Sequence, residues 1–199
     1  MKTITTTLVT KAVFSDDDSK RYLLKKTWDE QKDKMTIIML TPSMARGIEL
    51  DTTTQLVLNN VARLGYGRVS IVNLFALLDD FQLQKAEAED RENLEVILQE
   101  AATANCVVYA PGVGKSKNKV FLERQKQVLE ALQPYEDKLY CLCDSVGEAR
   151  LQHPLSPAVR TWYLSKFKTS ELLGEAPVAR EEKQKKKTSK IKEVKDIEK

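Results

Sequence analysis

Met35-Thr36-Ile37-Ile38-Met39-Leu40 is an apolar run that ends in the polar loop Thr41-Pro42-Ser43. A short run of this kind, rich in β-branched residues and bounded by a proline loop, predicts a strand buried on both faces. The loop leads into a helical pattern that starts near Asp51. Because α/β proteins bind ligands where a buried strand opens toward the next helix, we expect a site at this loop.

Three further apolar runs resemble the first, and amphipathic helical patterns separate them. They cover residues 68–74, 106–110 and 139–143. This alternation predicts a three-layer α/β/α domain with a mostly parallel central sheet. Right-handed crossovers then place the carboxyl ends of all four strands at one edge of the sheet. The β-rich runs 3–14 and 21–26 are predicted to form an antiparallel pair at the edge of the sheet.

Charge divides the chain into a neutral body and a charged tail. Residues 1–167 carry 22 basic and 22 acidic side chains, whereas residues 168–199 carry 10 and 7. We expect residues 1–167 to form a single α/β domain and residues 168–199 to form a basic, Lys/Glu-rich tail, flexible or partly helical. The neutral body excludes a protein that grips phosphate backbones by overall charge. The alternative for the tail is an electrostatic contact with nucleic acid or an acidic partner.

The cysteines and the lack of long apolar segments indicate the compartment. Cys106, Cys141 and Cys143 lie inside apolar runs, which is typical of buried thiols in a reducing environment. Two sulfurs near each other, without a second pair of ligands, do not make a zinc site. No run approaches the roughly 20 residues that span a bilayer. We therefore expect a cytoplasmic protein without membrane contact, metal site or cofactor, and we expect the thiols to be core residues.

Polar side chains follow each predicted strand at the shared edge. The four exit segments contribute Thr41, Pro42 and Ser43, then Asn73 and Phe75, then Gly112, and finally Asp144 and His153. His153 is the only histidine and stands between a glutamine and Pro154 in a proline-rich loop. It could donate a hydrogen bond to a developing oxyanion or act as an acid or base, and the alternative is a surface histidine in a rigid turn.

Asn73 ends a strand that is otherwise apolar, and its amide needs hydrogen-bond partners if it is buried. One interpretation is an amide that reads the planar edge of a nucleobase, with Phe75 stacked on the ring. The alternatives are an asparagine that ties down the following loop and a phenylalanine that belongs to the core. Asp51 or Thr52 is expected to cap the next helix, which Gly65 ends.

The loop after the third strand, residues 112–116, superficially resembles a nucleotide-binding P-loop. That motif requires a glycine five residues before Gly114, where this chain has Tyr109. It also normally follows the first strand of the sheet. We therefore exclude ATP binding by this route, while contact between phosphate and the backbone amides near Gly112 stays open.

An ordered series of short motifs resembles a known family. The motifs are Arg21-Tyr22-Leu23-Leu24, Met39-Leu40-Thr41-Pro42-Ser43, Asp51-Thr52-Thr53, Gly65-Tyr66-Gly67, Val72-Asn73-Leu74-Phe75-Ala76, Arg91-Glu92-Asn93 and His153-Pro154-Leu155. Together they look like the uncharacterised bacterial and phage family catalogued as domain of unknown function 1643, over roughly residues 12 to 160. The family name implies no activity.

The order of three of these loops is also similar to that in the uracil-DNA glycosylase superfamily. That resemblance implies that Asn73 reads a flipped-out base and that His153 stabilises the oxygen of the departing base. The superfamily positions the attacking water through Asp or Asn in the first loop. This chain has Thr41 near that place, and threonine cannot accept a proton at neutral pH. Asp51 is the substitute that the resemblance suggests.

Three functions follow as expectations. The first is a glycosylase-like nucleobase-binding or nucleic-acid-binding protein, active or degenerate, with DNA, a nucleobase or a nucleotide as its partner. The second is a non-catalytic interaction module of a mobile element or defence system. The third is a small-molecule nucleotide-binding hydrolase.

Overall fold

A computed structural model describes residues 1–44, 47–78, 90–112 and 119–173. The tail from residue 174, the connection 79–89 and most of the predicted loop 112–116 lie outside the described residues. The strands are β1 (Val9–Phe14), β2 (Arg21–Thr27), β3 (Lys34–Met39), β4 (Arg68–Asn73), β5 (Cys106–Tyr109), β6 (Leu139–Cys143) and β7 (Tyr163–Lys166). The helices are α1 (Thr52–Arg63), α2 (Arg91–Ala102), α3 (Lys119–Leu132) and the short α4 (Ser170–Leu173).

The strands form one mixed sheet in the order β1-β2-β4-β3-β5-β6-β7. β3 lies in the middle and pairs in parallel with β4 and β5, and β5 pairs in parallel with β6. The α/β class is therefore confirmed, and the carboxyl ends of the four apolar strands meet at one edge. β1 and β2 pair antiparallel, and β2 joins the parallel strands through β4.

Two features of the sheet differ from the sequence-based expectation. β1 begins at Val9 and not at Thr3, and residues 1–8 are exposed. β7, which pairs antiparallel with β6, was not predicted from the sequence. β7 has only half-buried and exposed residues, so its polar composition hid it from a search for apolar runs.

Apolar side chains of the sheet fall into two clusters, one on each face. One cluster includes Ile38 and Val107 with residues of α2 and α3. The other includes Ile37 and Val108 with residues of α1. Successive strand residues point to opposite faces, so each continuous apolar run supplies both clusters. All three cysteines are free and buried, as the sequence predicted.

Local sequence sets the ends of α1. Asp51 is the N-cap, and its carboxylate accepts a hydrogen bond from the backbone N–H of Thr54. Gly65 follows the C-cap Leu64 with φ of +91°, a conformation that favours glycine. Both ends were predicted. Because α1 runs back from the edge where the strands end, its N-terminus lies at that edge.

A polar network anchors α2 at the opposite, amino-terminal edge of the strands. The ammonium group of Lys34 lies 2.5 Å from the Glu100 carboxylate, and the two side chains are 5% and 16% exposed. The Ser70 hydroxyl donates to the same carboxylate at 2.6 Å, and the Thr36 hydroxyl donates to the Glu100 carbonyl at 2.9 Å. These contacts connect α2 to β3 and β4.

Removal of Lys34 should reveal the cost of leaving a buried charge unpaired. We expect Lys34→Ala to lower the free energy of unfolding by about 3–5 kcal/mol, measured by denaturant titration, because Glu100 loses its counter-charge. Lys32→Ala is the matched control, since Lys32 pairs with Asp29 at the surface, where both side chains are at least 36% exposed. It should cost less than about 1 kcal/mol. Equal losses in the two variants would contradict this interpretation.

Candidate functional site

The candidate site lies where β4, β3 and β5 end side by side. Asn73 is the last residue of β4, and the segment Thr41-Pro42-Ser43 follows β3. Gly112 follows β5, and its Cα is close to His153 from the loop after β6. Neighbouring strands are about 4.8 Å apart, so the ends of β4 and β5 are roughly 10 Å from each other.

Asn73 has a buried side-chain amide at this edge. Its side chain is on the same face as Val69 and Ile71, toward α1, because strand residues alternate. The residue is 1% exposed, and neither its amide nitrogen nor its amide oxygen has a hydrogen-bond partner among the described residues. An unsatisfied buried amide is costly, typically about 1–3 kcal/mol. A ligand that offers a donor and an acceptor would satisfy it.

Asn93 in the first turn of α2 holds the end of β4 from the other face. Its amide nitrogen donates to the backbone oxygens of Asn73 and Leu74, at 3.0 Å each. The buried guanidinium group of Arg124 donates to the same Leu74 oxygen at 2.8 Å. The backbone of Asn73 is thus fixed by other residues. Its side chain is therefore not needed to tie down the loop, which was one of the predicted alternatives.

Asp51 is engaged by three donors. Its carboxylate accepts hydrogen bonds from the Ser43 hydroxyl at 2.5 Å and from the Thr54 backbone N–H and hydroxyl at 2.8 and 3.0 Å. Burial alone would raise the pKa of Asp51, but these hydrogen bonds outweigh it, and the pKa is lowered. A carboxylate with a lowered pKa is a weaker proton acceptor. The geometry therefore favours the capping role and gives Ser43 a role in positioning Asp51.

His153 is half-buried, and its ring is oriented by its own loop. The backbone N–H of Leu155 donates to Nδ1 at 3.2 Å, so the neutral ring carries its proton on Nε2. Burial lowers the pKa of His153 below its usual 6.5. Near neutral pH the imidazole is therefore uncharged and has an Nε2–H that no described residue accepts. Such a group can donate a hydrogen bond to a ligand oxygen.

Gly112 allows His153 to lie close to the end of β5. Its φ is +85°, and a Cβ at this position would lie 3.1 Å from the Cβ of His153. Both features favour glycine here. The sequence suggested only that the backbone amides near Gly112 could contact phosphate. The structure gives Gly112 a further role, because it leaves the space that His153 occupies.

The remaining predicted residues divide between edge and core. Thr41 and Ser43 are half-buried at the edge, and Pro42 is buried beside them. Phe75 is not brought to the edge, because its side chain is 3% exposed and packs in the apolar cluster with α2 and α3. This placement matches the predicted alternative that Phe75 is a core residue.

Sequence reasoning missed two buried cations on β2, and one of them, Arg21, lies beside the site. Arg21 begins β2, is 2% exposed, and donates from its guanidinium group to the Ser43 backbone oxygen at 3.1 Å. Burial lowers the pKa of Arg21, and the Asp51 carboxylate offsets part of that effect. Lys26 on the same strand is 1% exposed. Two signals for Arg21 were available in the sequence. It is a charged residue at the start of an apolar run, and it belongs to the first family motif.

Comparison with known proteins identifies a family. The family model described as Protein of unknown function (DUF1643) matches residues 21–155. The chain belongs to this family. The matched part of DUF1643 runs from the first residue of β2 to the His153 loop, and so contains every element that forms the candidate site. No curated protein and no solved structure matches the chain significantly.

The described residues contain neither a cluster of side chains that could hold a metal ion nor a helix able to cross a membrane. What they bring together at one edge of this DUF1643 domain is an amide without partners, an imidazole N–H donor and a buried guanidinium group. Each of these groups can form hydrogen bonds with a polar ligand.

The pKa of His153 can be measured directly, because it is the chain's only histidine. We expect proton NMR to show a single imidazole that titrates below 6.5 in the folded protein, since burial disfavours its charged form. The unfolded chain then binds a proton more readily than the folded one. The contribution of His153 to stability is therefore full above pH 6.5 and is lost as the pH falls through the folded pKa. A folded pKa of 6.5 or higher would refute this.

Gly112→Ala tests the contact with His153. The positive φ should lower the free energy of unfolding by about 1–2 kcal/mol, and the new methyl group should shift the NMR signals of the imidazole. Gly65→Ala is the control: φ is +91° there, but a Cβ would meet nothing within 4 Å. It should cost a similar amount and leave the imidazole signals in place. Identical imidazole spectra for the two variants would contradict the proposed contact.

Proposed function

We propose that this chain is a glycosylase-like protein that binds a nucleobase, free or in nucleic acid, and that it is degenerate in catalysis. The observation that carries the proposal is the buried, unpartnered amide of Asn73 at the carboxyl ends of the parallel strands. An amide offers one acceptor and two donors in a plane. This pattern is complementary to the edge of a nucleobase that carries adjacent donor and acceptor groups.

His153, which lies close to Gly112 after β5, supports the same ligand class. Its Nε2–H is a neutral donor, since Nδ1 is occupied by the Leu155 N–H and burial lowers the pKa of the ring. A neutral imidazole can stabilise the negative charge that develops on a carbonyl oxygen, because its Nε2–H donates a hydrogen bond to that oxygen. The resemblance to uracil-DNA glycosylases assigns this role to the histidine of the loop that contains His153.

The residues around the first loop support binding more than hydrolysis. A glycosylase must position and activate a water molecule, which requires a proton acceptor near the glycosidic bond. Thr41 cannot accept a proton at neutral pH. Asp51 is held by three donors and has a lowered pKa, so it is a poor base. We therefore propose that the domain binds a nucleobase and cleaves the glycosidic bond of that base slowly or not at all.

A second candidate, an interaction module, is favoured by the segment between β3 and α1. Ile48 and Met44 are 95% and 64% exposed there, and Leu50 is 43% exposed. Large apolar side chains exposed beside a site are typical of protein-binding surfaces. This candidate does not require a ligand at Asn73.

Substitution of Asn73 tests the proposal through stability and binding together. We expect Asn73→Leu to leave the free energy of unfolding unchanged or to raise it by up to about 3 kcal/mol, because an unsatisfied buried amide is removed. The same variant should lose nucleobase binding. Asn93→Leu is the control and should be destabilised by about 1–3 kcal/mol, since it loses two hydrogen bonds to backbone carbonyls. A comparable loss of stability in Asn73→Leu would show that the amide is structural.

Gel retention on oligonucleotides tests nucleic-acid binding and catalysis in one experiment. Single- and double-stranded DNA, with and without uracil or modified bases, is scored for retention and for alkali-labile breaks. We expect retention that depends on Asn73 and His153, with few or no breaks. Breaks that vanish in His153→Ala would establish an active glycosylase. Absence of retention on every substrate would favour the interaction module.

The tail requires a truncation that leaves the packed domain intact. Phe167 stacks on Tyr109 with ring centroids 5.5 Å apart, and Leu172 and Leu173 pack against the apolar cluster on the α2 and α3 face. A variant that ends at residue 173 is therefore preferable to one that ends at 167. If the tail contacts nucleic acid, this truncation weakens retention on all sequences equally and reduces its dependence on salt.

A further inference from the structure

The segment before β1 has the composition of a strand but pairs with no strand among the described residues. Residues 3–8 are four threonines, an isoleucine and a leucine, without charge, glycine or proline. Threonine and isoleucine favour strands. β2, the partner of β1, ends at Thr27 opposite Val9, so it has no residues left to pair with this segment. The segment is therefore exposed, and Ile4 and Leu8 are 78% and 45% accessible to solvent.

β1 also has an outer edge with which no described strand pairs, because it is the first strand in the order of the sheet. Open edges can pair with another chain, and proteins usually protect them with charges, prolines or bulges. In the run 3–14 such features are Lys11 and the irregular register between Val13 and Phe14. Both lie in the second half of the run. The first half is unprotected and is suited to strand addition.

A second copy of this chain fits this edge. Antiparallel pairing about a two-fold axis at Leu8 places Leu8 opposite Leu8 of the second copy, and Ile4 opposite Ala12. It also places Thr6 opposite Thr10. If the strand continues through residues 4–8, alternation puts these side chains on the face where Thr10 contacts Lys26 and where Ala12 packs toward α1. Apolar residues then meet apolar residues and threonine meets threonine, and such cross-strand pairs are favourable.

Charge favours this register over one that is centred on β1. A two-fold axis at Lys11, in the middle of β1, would place the two Lys11 side chains opposite each other, and like charges in that position are destabilising. The axis at Leu8 places Lys11 opposite Thr5 of the second copy instead. It also brings residues 4–8 into the paired length, so their backbone groups gain partners.

We propose that two copies of this chain form a dimer in which residues 4–12 of each copy pair antiparallel, so that the sheet continues from one copy into the other. The two-fold axis is perpendicular to the sheet and reverses the strand direction. Because β1 runs parallel to β4, the candidate sites of the two copies lie at opposite edges of the joined sheet. The interface does not cover these sites and does not depend on a ligand at Asn73.

Proline substitution in the segment tests the interface. The N–H groups of adjacent strand residues point to opposite edges, so Thr6→Pro with Thr7→Pro removes one donor that faces the second copy. Thr6→Ser with Thr7→Ser is the matched control, since it keeps both N–H groups and both hydroxyls. Residues 6 and 7 are exposed and lie outside β1, so the prolines leave the fold of each copy intact.

Sedimentation velocity of the full chain at increasing concentration gives the dissociation constant of the dimer. We expect the unmodified chain to dimerise, the proline variant to dimerise at least about tenfold more weakly, and the serine variant to stay within about threefold of the unmodified chain. The melting temperature of the unmodified chain should rise with concentration, because association stabilises the folded state, whereas that of the proline variant should not.

Disulfide cross-linking tests the register. Residues directly opposite each other in an antiparallel pair have Cα atoms about 4.5–5.5 Å apart, which a disulfide can bridge. Mild oxidation of Leu8→Cys should therefore give a covalent dimer on a non-reducing gel. Ile4→Cys is the control, because the two copies of residue 4 would be about 27 Å apart along the strands. The three native cysteines are buried.

Four results would overturn the proposal. A chain that stays monomeric at every concentration up to about 100 μM would show that the edge takes no second copy. A dimer that the prolines do not weaken would place the interface elsewhere, and assembly beyond the dimer would contradict a closed two-fold contact. Equal cross-linking of Leu8→Cys and Ile4→Cys would reject the register and show random collision. None of these results bears on the nucleobase site.

Discussion

The parallel pairing of β3 with both β4 and β5 is the constraint on which the rest of this structure depends. Parallel strands need crossover helices, and these helices bury the sheet on both faces. The same pairing directs the carboxyl ends of neighbouring strands to one edge. Residues that are far apart in sequence, such as Asn73 and His153, thereby come to the same edge of the sheet. Any change that shifted β3 by one residue would exchange its buried faces and displace the Thr41 loop.

Packing and function make opposite demands at the end of β4. Asn93 and Arg124 satisfy the backbone of this strand end, so its position does not depend on the Asn73 side chain. The Asn73 amide is nevertheless buried without partners among the described residues. The proposed function accounts for this amide, because a bound ligand would supply its hydrogen-bond partners and a group that is fixed before binding favours recognition.

Sequence patterns predicted the α/β class, the four parallel strands and both ends of α1, because each depends on local periodicity or on a capping residue. β7 escaped prediction because its pairing with β6 is tertiary and its residues are only partly buried. At the site, the convergence of Asn73, Ser43 and Gly112 followed from strand order. The core position of Phe75 was one of two predicted alternatives, and the sequence did not decide between them. The burial of Arg21 and Lys26 was not predicted, because it depends on which face a side chain takes and on what covers it.

The most direct test of the central claim is an NMR titration of the side-chain amide groups with nucleobases and oligonucleotides. If Asn73 reads the base, its amide NH₂ signals shift and become protected from exchange on binding. The NH₂ signals of Asn93 stay in place, because that group is already bonded to two carbonyl oxygens. Signals of Asn73 that do not move while a ligand binds elsewhere on the protein would contradict the claim that this amide is the recognition group.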